Sequence, residues 1–128
     1  ARLVRELDVP IAIGESLHSP YEFERYVQDQ AVEIVQIDPI TNGGITVSLH
    51  ALKLADRAGL RTSSHYADEL SAHLLCASRY PVYLEKHAFA LDPYLVQPQR
   101  VQDGRVRPTE TPGTGMRFAP KALEPFRS

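Results

Sequence analysis

The chain of 128 residues has one cysteine, Cys76, which excludes an internal disulfide framework and fits a reducing compartment. It lacks any apolar run near the roughly 20 residues that span a bilayer, and its N-terminus lacks the apolar core of a signal peptide. The formal net charge is −2, and the 14 basic residues are scattered, so no surface for nucleic acid is indicated. These absences lead us to expect a cytoplasmic protein that binds neither nucleic acid nor membrane.

What the chain does have is an alternation of short apolar runs and helix-like segments. Its composition, 43% apolar and 23% charged, suffices for one ordinary core. Strands are predicted near residues 9–15, 33–38, 60–64 and 81–85. A β-α-β series of this kind predicts parallel strands with right-handed crossovers. The predicted fold class is therefore α/β, either about four units of a TIM-type (β/α) barrel, which needs ~250 residues when complete, or an open doubly wound sheet.

The chain changes character after these segments. From Asp92 onward prolines and turn residues accumulate, and VQDGRV, with Asp103 and Gly104 at its turn, predicts a small hairpin. We therefore divide the chain into a partial barrel over residues 1–91 and an irregular C-terminal extension over residues 92–128 that covers another surface. Ala1 to Leu7 resemble the last turns of a helix and no methionine precedes them, so we expect that an N-terminal part is missing.

Ionisable residues stand at the end of each predicted strand: Glu15, Asp38, His65 and Glu85. Any one of them alone is commonly a helix cap, a turn residue or a surface group. Their recurrence at one edge of four successive parallel strands favours a site, because ligands and catalytic groups gather at that edge. We assign the remaining histidines to structural or surface positions by default: His18, His50, His73 and His87. Of these, only His87 stays open as a site residue.

The residue types indicate a chemistry. The carboxylate of Glu15 suits a hard cation such as Mg²⁺, which would need further oxygen ligands from elsewhere. Asp38 and His65 lie on adjacent strands, where an aspartate behind an imidazole orients the ring and favours its protonated form, as an acid or base near neutral pH requires. Glu85 can donate a hydrogen bond to a substrate oxygen if it holds or shares a proton.

These residues lie in motifs that resemble a known family. The motifs are IGE at residues 13–15, QIDPITNGGIT at 36–46, SSHYADELSAHLL at 63–75, YLE at 83–85 and a tail with PGTGMRF. The chain resembles the C-terminal half of the enolase superfamily, in the mandelate racemase-like group that includes acid-sugar dehydratases. The resemblance implies the C-terminal half of a TIM-type barrel, with the extension at 92–128 packing on a capping domain or a partner.

The resemblance also implies roles for the four residues. Glu15 would be the third of three Mg²⁺ carboxylate ligands, Asp38 and His65 an acid/base dyad, and Glu85 the electrophile that hydrogen-bonds the substrate carboxylate. The implied reaction is Mg²⁺-dependent removal of the proton α to a carboxylate through an enediolate. In such enzymes the other metal ligands, the opposite-face acid/base residue and the capping domain lie upstream of Ala1, so we expect the isolated chain to be inactive and to bind Mg²⁺ poorly.

Several functions remain open at this stage. A sugar-acid (aldonate or aldarate) dehydratase is the first choice, and an α-hydroxy acid racemase acting on another small carboxylate substrate is the second. A non-catalytic half-barrel scaffold is the third, and it would self-associate because both edges of its sheet are exposed. We expect a homo-oligomer. The absence of a GxGxxG or Walker-type loop weakens a nucleotide-binding function.

Overall fold

The computed structural model describes residues 1–87 and 91–127, and a four-stranded parallel sheet lies at its centre. The strands lie in the order β1-β2-β3-β4, with bounds Ala12–Ile13, Ile34–Ile37, Arg61–Ser64 and Pro81–Tyr83. The helices α1 to α4 are Arg2–Glu6, Pro20–Gln28, Gly44–Ala58 and Asp68–Leu75. The α/β class with parallel strands is therefore confirmed. Residues 88–90 of the predicted barrel segment and Ser128 of the predicted extension lie outside the described residues.

Local sequence signals explain where α2 begins and where α3 ends. Ser19 caps α2 by accepting a hydrogen bond from the backbone N–H of Glu22 at 3.4 Å, and Pro20 occupies the first turn. Gly59 ends α3 with φ 67°, a left-handed conformation that glycine adopts without steric cost. Only Gly59 and Leu60 therefore separate α3 from β3.

The core lies between the sheet and its helices and is centred on β2. Its largest fully buried apolar side chains are Phe23 from α2, Val35 and Ile37 from β2, and Leu52 from α3. The outer strands are less buried than β2: all three residues of β4 are exposed, and Ala12 of β1 is exposed as well. The described residues thus pack the centre of the sheet and leave its two edge strands open.

The extension contains the predicted hairpin and little other regular structure. Strands β5 and β6, Val101–Gln102 and Arg105–Val106, pair antiparallel, and both turn residues between them have positive φ. An isolated bridge joins Leu95 to Phe118, so the extension folds back on itself before the short helix α5, Pro120–Leu123. Among the described residues, no helix combines the length and apolar character needed to cross a bilayer.

Candidate active site

Three of the ionisable residues predicted at the strand ends, all carboxylates, surround the imidazole of the fourth, His65. Asp38 and His65 directly follow β2 and β3, whose register pairs Ile37 with Ser64. This register places the two side chains beside each other, and Nδ1 of His65 lies 2.9 Å from Oδ2 of Asp38. The other imidazole nitrogen, Nε2, lies 3.7 Å from Glu15 Oε2 and 3.9 Å from Glu85 Oε2.

Asp38 is held rigidly. Its side chain is 2% exposed, and its Oδ1 accepts hydrogen bonds from the backbone N–H groups of Ile40 at 2.8 Å and Thr41 at 3.4 Å. With Oδ1 engaged by the backbone, Oδ2 accepts a hydrogen bond from Nδ1–H of His65. That bond fixes the ring and directs Nε2 toward the two outer carboxylates.

His65 is poised to exchange a proton. Burial lowers the pKa of His65, but the hydrogen bond to Asp38 and the negative charges of Glu15 and Glu85 outweigh it, so the pKa is raised above its ordinary value. The side chain is 25% exposed, so Nε2 is reachable from the open face of the sheet edge. An imidazole in this setting can take up a proton from a bound molecule or return one.

Asn42 is a site residue that the sequence analysis did not single out. It is 0% exposed, and its Oδ1 accepts the backbone N–H of Asp38 at 2.5 Å. Its Nδ2 donates to the backbone oxygens of Gly14 at 2.8 Å and Leu17 at 2.5 Å. One side chain therefore joins the loop after β1 to the loop after β2. The available signal was a lone amide four residues after a strand-end aspartate, a spacing at which the side chain can bond back to the backbone.

Gly14 sets the position of Glu15. A Cβ on Gly14 would lie 1.7 Å from the backbone oxygen of Gln36, and φ is 153°, so only glycine allows β1 to approach β2 this closely. Thr41 then donates from Oγ1 to the backbone oxygen of Glu15 at 2.7 Å. The backbone of Glu15 is anchored, while its side chain remains 54% exposed.

The donor set at this edge fits part of a magnesium site. The Glu15 carboxylate is a hard oxygen ligand, anchored through its backbone and open to an ion, as Mg²⁺ prefers. Mg²⁺ requires near-octahedral oxygen coordination, which one carboxylate and water do not secure tightly. Further ligands would have to come from outside the described residues. A separate group of potential ligand atoms, within 4.8 Å of one another, joins His65, Glu85 and His87.

Glu85 is tied to the centre of the sheet and to a second histidine. Its backbone N–H donates to Ser64 Oγ at 3.3 Å, and its Oε2 lies 3.3 Å from Nε2 of His87. The rings of His87 and His65 are 5.4 Å apart, edge to face. The structure thus places His87, which the sequence left open, at the site, whereas His50 pairs with Glu24 between two outer helices.

The backbone immediately after His65 is strained. Tyr66 and Ala67 both have positive φ, 53° and 44°, a conformation that costs about 1–3 kcal/mol for each non-glycine residue. Ser71 of α4 holds this turn, donating from Oγ to the backbone oxygen of Tyr66 at 2.9 Å and from N–H to that of Ala67 at 2.7 Å. The turn redirects the chain from β3 into α4.

This arrangement has relatives among known proteins. The model of the Enolase C-terminal domain-like family matches residues 1–122. The chain belongs to this family. The resemblance to the enolase superfamily that the motifs indicated is therefore confirmed.

Two curated relatives in the superfamily act on sugar-derived acids. The chain is 34% identical over 116 residues to the 3,6-anhydro-α-L-galactonate cycloisomerase of Streptomyces coelicolor, covering 91% of this chain and 32% of the relative. It is 34% identical over 122 residues to the L-talarate/galactarate dehydratase of Salmonella typhimurium, covering 95% and 30%. The chain thus spans about a third of the length of the relatives it matches.

Solved structures give the same fold. The L-talarate dehydratase of Polaromonas sp. JS666, complexed with Mg and L-glucarate, superposes with a TM-score of 0.86 at 33% identity, covering 94% of this chain and 34% of that one. An enolase from Bradyrhizobium, complexed with magnesium and mandelic acid, gives 0.88 at 32% identity, covering 96% and 34%. These neighbours are enolase-superfamily barrel enzymes, so the sheet is a C-terminal part of a TIM-type barrel and the open doubly wound alternative is wrong.

Proposed function

We propose that the protein to which this chain belongs is a Mg²⁺-dependent enzyme that removes the proton α to the carboxylate of a sugar acid and eliminates water. The observation that carries the proposal is the Asp38–His65 pair at 2.9 Å, set between the carboxylates of Glu15 and Glu85 at the carboxyl edge of the sheet. The family membership and the 34% identity to an L-talarate/galactarate dehydratase support it.

In this proposal His65 is the acid/base residue. Asp38, itself held by two backbone N–H groups, fixes the ring and stabilises its positive charge, so Nε2 can take the α-proton or protonate the departing β-hydroxyl. The raised pKa of His65 suits both directions of transfer near neutral pH.

Glu85 is proposed to bind the substrate carboxylate. Its backbone is held by Ser64 of β3, so its carboxyl group keeps a fixed place relative to His65 on the neighbouring strand. A proton held or shared by Glu85 would hydrogen-bond the substrate oxygen on which negative charge accumulates as the α-proton leaves.

Glu15 is proposed as one ligand of the metal. Mg²⁺, when bound, would supply a Lewis acid that lowers the energy of the charge developing on the substrate carboxylate. The remaining ligands are proposed to come from the rest of the barrel, so the 128-residue chain alone should bind Mg²⁺ weakly and should not turn over substrate.

A second reaction on the same constellation is racemisation of an α-hydroxy acid. The observation that favours it is the structural match, with a TM-score of 0.88, to an enolase complexed with magnesium and mandelic acid. Both reactions begin with transfer of the α-proton, so His65 would keep its role and only the fate of the intermediate would differ.

The test uses the full-length protein with Mg²⁺ and a library of aldonates and aldarates that includes galactarate and L-talarate, together with 3,6-anhydro-L-galactonate. A 2-keto-3-deoxy acid product is followed by semicarbazide derivatisation, and α-proton exchange is followed by NMR in D₂O with the same acids and mandelate. His65→Asn is compared with His50→Asn, a matched change at a helix-surface ion pair.

We expect keto-acid formation that falls at least about a hundredfold in His65→Asn and is unchanged in His50→Asn. Deuterium incorporation or racemisation without keto acid would move the assignment to the racemase. Isomerisation of an anhydrosugar acid without loss of water would favour the cycloisomerase reaction. No exchange and no product with any acid would contradict the proposal and leave a non-catalytic scaffold.

A further inference from the structure

Lys86 lies at the centre of a charged cluster that adjoins Glu85 of the candidate active site. It follows Glu85 directly in the chain, and its Nζ donates to Asp68 Oδ2 at 2.5 Å and to Asp92 Oδ1 at 2.9 Å. Asp68 begins α4, and Asp92 begins the short 3-10 helix of residues 92–94 in the extension. One ammonium group therefore joins three segments: the end of the β4 region, the start of α4 and the extension.

The cluster is largely shielded from solvent. The side chains of Asp68 and Lys86 are 5% and 24% exposed, and Asp92 is 37% exposed. Glu69 is 6% exposed, and its Oε1 has no hydrogen-bond partner among the described residues. Burial raises the pKa of Glu69, and the charges of Asp68 and Asp92 raise it further. Without Lys86, the carboxylates of this cluster would face each other with little water to separate their charges.

The cluster is next to the strained turn that leads the chain from His65 into α4. Tyr66 and Ala67 hold left-handed conformations, and the next residue, Asp68, is the one that Lys86 binds. A strained turn persists only where the surrounding contacts over-determine it. The hydrogen bonds from Ser71 hold the turn from the α4 side, and Lys86 holds it from the β4 side.

We propose that Lys86 is a positioning residue that fixes the spacing between His65 and Glu85 by anchoring the turn after one to the chain segment after the other. The catalytic part of this statement rests on the proposed roles of His65 and Glu85. The anchoring itself rests on the two ion pairs. Hydrogen bonds to Asp68 and Asp92 outweigh burial and raise the pKa of Lys86, so the ammonium stays charged throughout the neutral range.

Asp68, Glu69 and Asp92 also carry oxygen atoms within 4.8 Å of one another, a spacing that suits a cation. The Lys86 ammonium already bridges two of these three carboxylates. The described structure therefore assigns the cluster an internal cation, and added Mg²⁺ should not replace the effect of a missing Lys86 charge.

The experiment compares three variants of the full-length protein: Lys86→Met, Lys86→Arg and the double variant Lys86→Met with Asp68→Asn. Lys53→Met, at an exposed position on α3, is the matched control. Amide hydrogen-deuterium exchange is followed over residues 64–72 and 91–96, and kcat, KM and the Mg²⁺ concentration for half-maximal activity are measured with the acid found by the library screen.

We expect Lys86→Met to accelerate exchange in both segments and to lower kcat about tenfold to a hundredfold, as a displacement near 1 Å can do. The Mg²⁺ requirement should stay unchanged, because Glu15 lies across the sheet on β1's side. Lys86→Arg keeps the charge and should retain most of kcat. The double variant lacks both partners of the Lys86–Asp68 ion pair, so the anchor is still missing and exchange over 64–72 should stay fast.

Unchanged exchange over residues 64–72 in Lys86→Met would overturn the proposal, with or without a known substrate. A double variant that recovered slow exchange would also overturn it, since the defect in Lys86→Met would then come from the unpaired charge of Asp68 and not from the missing anchor. Failure of the proposed function would look different: the wild-type protein would show no turnover, while the exchange comparison would still decide whether Lys86 anchors the turn.

Discussion

The centre and the edges of the parallel sheet differ in how completely this chain builds them. At the centre, β2 and β3 are largely buried and end in Asp38 and His65, which share a direct hydrogen bond of 2.9 Å. At the edges, Ala12 of β1 and all of β4 are exposed, and these strands lead to Glu15 and Glu85, which lie 3.7 and 3.9 Å from the same imidazole. The centre is preorganised by contacts within residues 37–65, whereas in a closed TIM-type barrel each of the two edge strands would pair with a further strand.

The two parts of the candidate site depend on different parts of the protein. The Asp38–His65 pair is oriented by groups within residues 37–65, so it should keep its geometry under many perturbations elsewhere. The backbones of Glu15 and Glu85 are each held by one side chain, Thr41 and Ser64, while their carboxylates remain 54% and 40% exposed. Variants at the centre should therefore have larger effects than variants at the edges.

The largest effect is expected for Asp38→Asn. The amide removes the negative charge behind the imidazole while keeping the side-chain size, so His65 loses the partner that stabilises its protonated form. We expect kcat of the full-length enzyme to fall by about 10²–10⁴-fold. Asp29→Asn, at the exposed end of α2, is the control and should leave kcat unchanged. A loss below tenfold in Asp38→Asn would show that the centre does not dominate the chemistry.

Asn42→Ala should have the next largest effect, measured as stability. It leaves the backbone N–H of Asp38 and the backbone oxygens of Gly14 and Leu17 without their side-chain partner in a fully buried place. We expect a loss of about 2–4 kcal/mol in the free energy of unfolding, measured by urea denaturation. Gln28→Ala, exposed at the end of α2, should cost little. Equal urea midpoints for Asn42→Ala and Gln28→Ala would mean that water takes over the hydrogen bonds of the Asn42 amide.

The contacts of Asn42 could not be predicted from the sequence. The strands and the four strand-end residues could be predicted because parallel strands bring their carboxyl ends to one edge, whatever the loop details. The contacts of Asn42 span 25 and 28 residues and depend on where two loops meet, so no local pattern specifies them. The same holds for Lys86, whose partners Asp68 and Asp92 lie on two different segments, and for the left-handed turn at Tyr66, which tertiary contacts impose.

A smaller effect is expected at the edge in Glu15→Gln. The amide is a weaker ligand for a hard cation, so the affinity of the full-length protein for Mg²⁺ should fall by at least about tenfold, measured by titration calorimetry with MgCl₂. Glu85→Gln, on the opposite edge, is the matched control and should leave Mg²⁺ affinity close to that of the wild type. If the two variants lost affinity equally, the assignment of Glu15 alone among the described residues as a metal ligand would be wrong.

The finest comparison concerns the pKa of His65 without Mg²⁺. Burial lowers that pKa, and the hydrogen bond to Asp38 together with the charges of Glu15 and Glu85 raises it above its ordinary value. A raised folded-state pKa means that the protonated ring stabilises the fold fully below the unfolded pKa of about 6.5. This stabilisation is lost as the pH rises through the folded pKa. The difference in free energy of unfolding between wild type and Asp38→Asn should therefore shrink as the pH rises from about 6.5 through the folded pKa.

The measurement is an NMR titration of ¹³C-labelled histidine in the Mg²⁺-free full-length protein, with His65→Asn used to assign the signal. Asp38→Asn should lower the pKa of His65 more than Glu15→Gln does, because Asp38 is buried and in direct contact whereas Glu15 is 3.7 Å away and half exposed. Equal shifts in the two variants would mean that charge at the open edge controls the imidazole as strongly as the buried partner does, and the distinction between centre and edge would then hold for packing but not for electrostatics.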